Sequence, residues 1–228
     1  MMEDSIIVKA ENLEKIYGYG RNALRVLKGI SFDILKSEII SIVGPSGAGK
    51  STLLNLIGCL DFFQTGNLQV LGKDVTNLSV EALSGFRNRH IGFIFQLHNL
   101  LPEFSALENV MMPLLIRRTK KNDAREQAFA LLERFNLTDR VDHKPSELSG
   151  GECQRVAVAR AIVTKPDILL ADEPTGNLDR ANSQMLTEMI LELGRERDTT
   201  IVIVTHDRDI AARTEKTITL IDGNIQKP

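Results

Sequence analysis

From Ile6 to Val43 the chain carries short apolar runs, Ile6 to Val8, Ile30 to Ile34 and Ile39 to Val43, set apart by glycine and charged residues. Runs of this length rich in isoleucine and valine predict strands, so the opening portion reads as β-rich. Thr52 to Ile57 has the character of a helix and Ile91 to Phe95 that of another strand. Between Ala106 and Val163 the pattern turns helical. Ser105-Ala-Leu-Glu108 and Ser149-Gly-Gly-Glu152 both have capping-box spacing, and Ala124 to Phe135 is amphipathic. A buried-type strand at Ile168 to Ala171, a helix over about Ala181 to Glu196, a strand at Thr200 to Val204 and an Asp222-Gly223 hairpin turn then restore the alternation of β and α. The order predicts one compact α/β unit with two lobes, the second a helical insertion of roughly residues 97 to 163. Internal repeats and Pro-rich linkers are not seen.

Composition narrows the partners more than the fold. With 228 residues, 43% hydrophobic and 25% charged, the chain has material for a globular core. A net charge of -2 leaves no electrostatic footprint for nucleic acid. Cys59 and Cys153 lie far apart with no ligand-spaced histidine or cysteine, which favours a reducing compartment over a disulfide framework. Met1 to Asn12 lacks the basic and apolar segments of a signal peptide, so a cytosolic location is expected. The densest apolar stretch, Val110 to Ile116, contains Pro113 and falls short of the ~18 to 20 residues of a membrane span. Any membrane role would come through another chain.

The chemistry concentrates in three segments. Gly44-Pro-Ser-Gly-Ala-Gly49-Lys50-Ser51 follows an apolar strand and opens a helix, the setting in which glycines let backbone N–H groups wrap phosphate oxygens. Gly44, Ser46, Gly47, Ala48, Gly49, Lys50, Ser51 and Thr52 are therefore the expected nucleotide contacts, Lys50 reaching the β- and γ-phosphates and the Ser51 hydroxyl ligating Mg²⁺. Ile168 to Ala171 ends in Asp172 and Glu173. In a phosphate-loop protein the first carboxylate is placed for the Mg²⁺ shell and the second for general-base attack by water. Leu148-Ser149-Gly150-Gly151-Glu152 opens another helix with unpaired N–H groups, a second anion site. One nucleotide has little use for two cradles, whereas two copies packed head to tail would complete each other's pockets. Taken singly, the last two segments also suit a solvated strand end and a plain capping box.

In the order phosphate loop, Gln96, Leu148 to Glu152, Leu169 to Asp179 and Thr205-His206-Asp207, the chain resembles the ATP-binding cassette ATPases over nearly its whole length. The resemblance implies a phosphate-loop α/β core with an N-terminal antiparallel β portion and an inserted helical subdomain. It also implies hydrolysis of ATP with Mg²⁺. Tyr17 then looks like the residue that stacks on adenine and Gln96 like the glutamine beside Mg²⁺ or the lytic water. His206 is similar to the switch histidine on the γ-phosphate, and Asp179 to the residue linking two sites across a homodimer. Ser149, Gly150, Gly151 and Glu152 would face the other copy's nucleotide. Partners implied are two integral membrane permease subunits at the cytoplasmic face of the inner membrane.

Within the family, Phe93 to Ile116 resembles the ATPase subunit of lipoprotein-releasing transporters. Leu97 to Phe104 offers apolar side chains on a loop where a cytoplasmic helix of a membrane subunit would dock, although Leu100 and Leu101 also suit an inward packing. Macrolide-exporter and cell-division ATPases share Glu173 to Asp179, so that motif does not separate them. A cassette acting on nucleic acid, in DNA repair or translation, would be expected to add a coiled coil, a second cassette or a basic arm. Two positions depart from the pattern: Cys153 replaces the usual Arg or Gln, and Ser37 the usual Gly.

Overall fold

The structure, a computed structural model, describes residues 6–226 except for the side chains of Arg21 and Arg197. Met1 to Ser5, the start of the segment read above for a signal peptide, lie outside the described residues. In chain order the elements are β1 (Ile6–Tyr17), β2 (Leu24–Leu35), β3 (Ile39–Val43), α1 (Lys50–Ile57), β4 (Thr65–Val70), β5 (Lys73–Asp74), α2 (Val80–His90) and β6 (Ile91–Ile94). They continue with α3 (Ala106–Ile116), α4 (Lys121–Arg134), α5 (Gly150–Ile162), β7 (Ile168–Asp172) and α6 (Arg180–Arg197). The chain ends with β8 (Thr200–Val204), α7 (Arg208–Ala211), β9 (Lys216–Ile221) and β10 (Asn224–Ile225). Two compact units result, residues 1–85 with 194–228, and residues 86–193.

In the first unit β2, β1, β4 and β5 form an antiparallel sheet in that order. Strand β1 runs twelve residues where only Ile6 to Val8 reads as a strand in the sequence, and the register explains why. Pairing with β2 slips between Ala10 and Leu13, and with β4 between Glu11 and Glu14; Asn12 there has φ +48°. A bulge shifts the inward phase by one residue, so Val8 and Ala10 are buried before it and Leu13 and Lys15 after it, and with Ile7 buried as well no simple alternation survives.

The same unit holds β10, β9, β3 and β8 side by side, with β3 parallel to both β8 and β9. Strands β3 and β8 are buried along nearly their whole length, as their unbroken apolar runs require of parallel strands covered on both faces. Ser41 is the polar exception. Its hydroxyl, fully buried, is matched by those of Thr214 and Thr217 at 3.0 and 2.9 Å. Ser37 turns the chain into β3 at φ +63°, a conformation that costs a non-glycine residue about 1 kcal/mol. Its backbone N–H donates to the Thr200 hydroxyl and its own hydroxyl donates to the Asp198 carbonyl, which offsets that strain and accounts for a serine at this turn.

In the second unit β6 and β7 pair in parallel, and α3, α4 and α5 pack on one another. Ser105 and Ser149 cap α3 and α5 with complete capping boxes. Helix α5 is buried on most of its faces and lies so close to β6 that a Cβ on Gly92 would meet the Ala161 carbonyl oxygen at 2.4 Å. Cys153 is buried in this helix, where its thiol donates to the Pro145 carbonyl and burial pushes it above its ordinary pKa.

Candidate active site

The phosphate-loop residues lie in the first unit. Gly44, Gly47 and Gly49 have φ of +154°, +78° and +99°, which L side chains rarely adopt. A Cβ on Gly44 would come within 2.0 Å of the Leu220 carbonyl oxygen of β9, so the glycine is required by space as well as conformation. Gly49 caps α1 without a side-chain hydrogen bond, leaving first-turn N–H groups directed beyond the helix with its partial positive charge. Ser46 and Gly47 are exposed, Ala48 is buried and Ser51 lies exposed on the first turn. Lys50 is only 7% exposed, and its ammonium donates to the Gly44 and Pro45 carbonyls at 2.9 and 3.0 Å. The lysine is thus folded onto its own loop. His206 follows β8 and, with Val43, Gly44 and Thr217, lines a cleft of about 450 Å³.

Tyr17 ends β1 with 40% of its surface exposed, and its phenol donates to Asp61 Oδ2 at 2.6 Å. Lys15, buried by the bulge, donates to Asp61 Oδ1 at 2.7 Å and stands 4.4 Å from the Tyr17 ring centroid. Sequence reasoning missed both Lys15 and Asp61. The available signal was a lysine two residues after the inward Leu13.

The remaining residues lie in the second unit. Glu173 follows β7 in a left-handed conformation, φ +43°, an outlier that persists only where its surroundings fix it. Gly176 has Gln96 Nε2 and Glu173 Oε2 as neighbours, at 3.2 and 3.6 Å from a Cβ built there. The Gln96 and Glu173 side chains are thereby brought to one place. The backbone around Gln96 is held on three sides. Gln154 donates to the Phe95 carbonyl at 3.0 Å and Asn177 to the Gln96 carbonyl at 3.2 Å. Arg160 donates to His98 and Asn99 at 2.8 and 2.6 Å. Because Gln154 and Arg160 belong to α5, the helix that begins at Ser149 also fixes the Gln96 segment. Neither residue was identified from the sequence, where backbone carbonyls leave no signature.

Ser149 and Gly150 are exposed at the start of α5. Gly151 is packed so that a Cβ would meet Asn182 Oδ1 at 2.7 Å, and Asn182 in turn donates from its backbone and side chain to Asp179. Asp179 and the α5 N-terminus thus share one neighbour. Those bonds from Asn182 hold the Asp179 carboxyl below its ordinary pKa.

Among the described residues no group of three or more His, Cys, Asp or Glu forms a metal cage. A hydroxyl such as Ser51 and a carboxylate such as Asp172 match Mg²⁺, which keeps waters and substrate phosphates as its other ligands.

Glu152 accepts from the Ser149 backbone N–H and from Arg140 Nε. The Ser149 backbone bond foremost, then the Ser149 side chain and Arg140, bring its pKa down from 4.5 to about 2. A depressed carboxylate stabilises the fold above its unfolded pKa and loses that contribution as pH falls through the folded value. Glu152→Gln is therefore expected to cost on the order of 1 kcal/mol near neutrality. It should also flatten the fall in stability between pH 4.5 and about 2. Urea midpoints measured across that range would show parallel curves for the two proteins if the assignment is wrong.

The loop after Gln96 separates the two leucines that the sequence allows to pack inward. Leu100 is buried, whereas Leu97, Leu101 and Phe104 are 68%, 39% and 36% exposed. Asn109 of α3, fully buried, shapes this loop. Its amide donates to the carbonyls of Leu101, Phe104 and Ser105, and its oxygen accepts from the Leu101 N–H.

The ABC transporter family profile matches residues 27–176. The chain is 49% identical over 221 residues to the lipoprotein-releasing system ATP-binding protein LolD of Bacteroides thetaiotaomicron, covering 97% of this chain and 100% of that protein. It is 50% identical over 221 residues to LolD of Geobacter metallireducens, covering 97% and 98%. Among solved structures it is similar to a dimeric post-hydrolysis state of the ATP-binding cassette MJ0796 bound to ADP and Pi. That match has a TM-score of 0.90 and 39% identity, and covers 96% of this chain and 97% of that one.

Proposed function

This chain belongs to the ABC transporter family as an ATP-hydrolysing subunit with the cassette fold, and from that premise we propose that it drives release of lipoproteins from the bacterial inner membrane. The observation that carries the reading is near-half identity to LolD proteins across almost the full length of both chains. In it, all 228 residues make one nucleotide-binding domain with a helical subdomain of roughly residues 97 to 163. Two copies pair head to tail and engage two membrane permeases at the cytoplasmic face. No helix among the described residues is long and apolar enough to cross a membrane, which fits a peripheral subunit.

Tyr17 stacks on adenine, and the loop from Gly44 to Thr52 holds the phosphates. Lys50 exchanges its loop carbonyls for β- and γ-phosphate oxygens, a stronger charge-assisted bond. Glu173 takes the proton of the water that attacks the γ-phosphorus, ADP departs, and Gln96, beside Glu173, orients that water. His206 hydrogen-bonds the γ-phosphate. Ser51, Gln96 and Asp172 would hold Mg²⁺, which when bound neutralises charge across the phosphates. Ser149, Gly150, Gly151 and Glu152 of the second copy close the pocket, and Asp179 links the two sites. Because closure needs both nucleotides, their hydrolysis changes the dimer population that the permeases feel.

Tagged protein drawn from detergent-solubilised membranes is expected to bring two permease chains with it, and the reconstituted complex to release lipoprotein from vesicles when ATP is added. Leu101→Asp and Phe104→Asp should lose the permeases while each isolated subunit still binds ATP. Wild-type recovery of permeases by both variants would move the docking surface elsewhere. A complex that hydrolyses ATP but releases no lipoprotein would overturn the substrate reading and leave the ATPase assignment standing.

A further inference from the structure

Lys15 is the one charged side chain that the β1 bulge turns onto the inward phase after Val8, Ala10 and Leu13, and it is 5% exposed. A buried ammonium is costly unless paired and hydrogen-bonded. Here Asp61 Oδ1 and the Phe62 carbonyl receive its protons, and the face of the Tyr17 ring covers it at 4.4 Å. Asp61 is itself oriented by the Phe62 N–H and accepts the Tyr17 phenol on its other oxygen. The Thr52 side chain is near enough to the phenol to draw its pKa down against burial and Asp61. Thr52 directly follows Ser51 in the first turn of α1, so the phenol lies beside the helix that starts at the phosphate loop. Tyr17, though 40% exposed, is fixed at its hydroxyl and on one face.

We propose that Lys15 and Asp61 are positioning residues that hold the Tyr17 ring as a one-sided stacking platform for the nucleotide base, in register with the phosphate loop. This rests on reading Tyr17 as the base-contacting residue. With Lys15 on one face, the base takes the opposite one. An exposed tyrosine lacking such a tether would lose rotamer freedom when the base arrives, and the pair removes that loss before binding.

The test compares ATP with inorganic tripolyphosphate, which lacks the base, by titration calorimetry on the full chain. Asp61→Asn and Lys15→Met are each expected to weaken ATP by about three- to tenfold, the cost of ordering one side chain on binding, and to leave tripolyphosphate unchanged. Equal losses for both ligands would overturn the proposal, since the pair would then be supporting the loop or the fold. Wild-type ATP binding in both variants, with Tyr17→Ala weakened, would overturn the clamp alone. Wild-type ATP binding in Tyr17→Ala would overturn the reading of Tyr17 itself.

A second readout is spectroscopic. The chain has no Trp and two Tyr, so in a Tyr19→Phe background tyrosinate absorbance reports Tyr17. Burial first and then the Asp61 bond raise the Tyr17 pKa. In Asp61→Asn its titration should move down toward that of free tyrosine, and an unmoved midpoint would show that the phenol does not depend on Asp61.

Discussion

Glu173→Gln is expected to lower ATP hydrolysis by at least about 100-fold, the lower range for loss of general-base assistance, while ATP still binds and an ATP-dependent dimer accumulates. The substitution preserves size and leaves one carbonyl oxygen as an acceptor, so the left-handed backbone at φ +43° and the neighbourhood of Gly176 and Gln96 have little reason to rearrange. What disappears is the basic oxygen. Binding itself is assigned to the loop from Gly44 to Thr52 and to Tyr17, which the change does not touch. Phosphate release in a single turnover, measured on the complex with its permeases, separates the chemical step from product release. Near-normal turnover there would remove Glu173 from the general-base role. Loss of ATP binding would instead show that its carboxylate holds the pocket together.

Local signals account for much of what the sequence revealed. The runs at Ile39 to Val43 and Thr200 to Val204 are read correctly because strands buried on both faces need continuous apolar residues. The helices at Ala106 and Gly150 announce themselves through capping boxes whose partners lie three residues apart. The phosphate loop is legible for the same reason, its glycines being adjacent and each demanded by φ or by space. Where a feature depends on pairing between distant segments, the signal fades. Strand β1 is legible for only three of its twelve residues because the bulge at Asn12 breaks its period. Lys15 and Asp61 are 46 positions apart, and only the shifted register shows that the lysine points inward. Asn109 carried a weaker clue, a lone amide in an apolar helix, but its partners are backbone groups. Gln154 and Arg160 likewise act on carbonyls, which every residue type possesses.

Mixing Lys50→Ala chains with Ser149→Arg chains is expected to restore ATPase activity that neither variant has alone. Lys50→Ala removes the ammonium now resting on the Gly44 and Pro45 carbonyls, and with it the charge meant for the phosphates of its own nucleotide. Ser149→Arg removes the cap of α5 and places a bulky side chain at its exposed N-terminus, where the other copy's nucleotide would approach. Each homodimer then has two damaged pockets. In a head-to-tail heterodimer both lesions fall in one pocket, Lys50 from the first chain being opposed by Ser149 from the second, and the other pocket is intact. Equal mixing makes about half of the dimers mixed, each with one working pocket of two, so recovery to roughly a quarter of the wild-type rate is the expected ceiling for independent pockets. Recovery should follow the product of the two chain fractions and peak at equal mixing, which distinguishes exchange of subunits from residual activity in either preparation. A flat response would mean that the pockets fire only together or that they are not shared. Crosslinking decides between these outcomes: a Ser149 to Lys50 link between copies supports the shared pocket, and one confined within a single chain contradicts it outright.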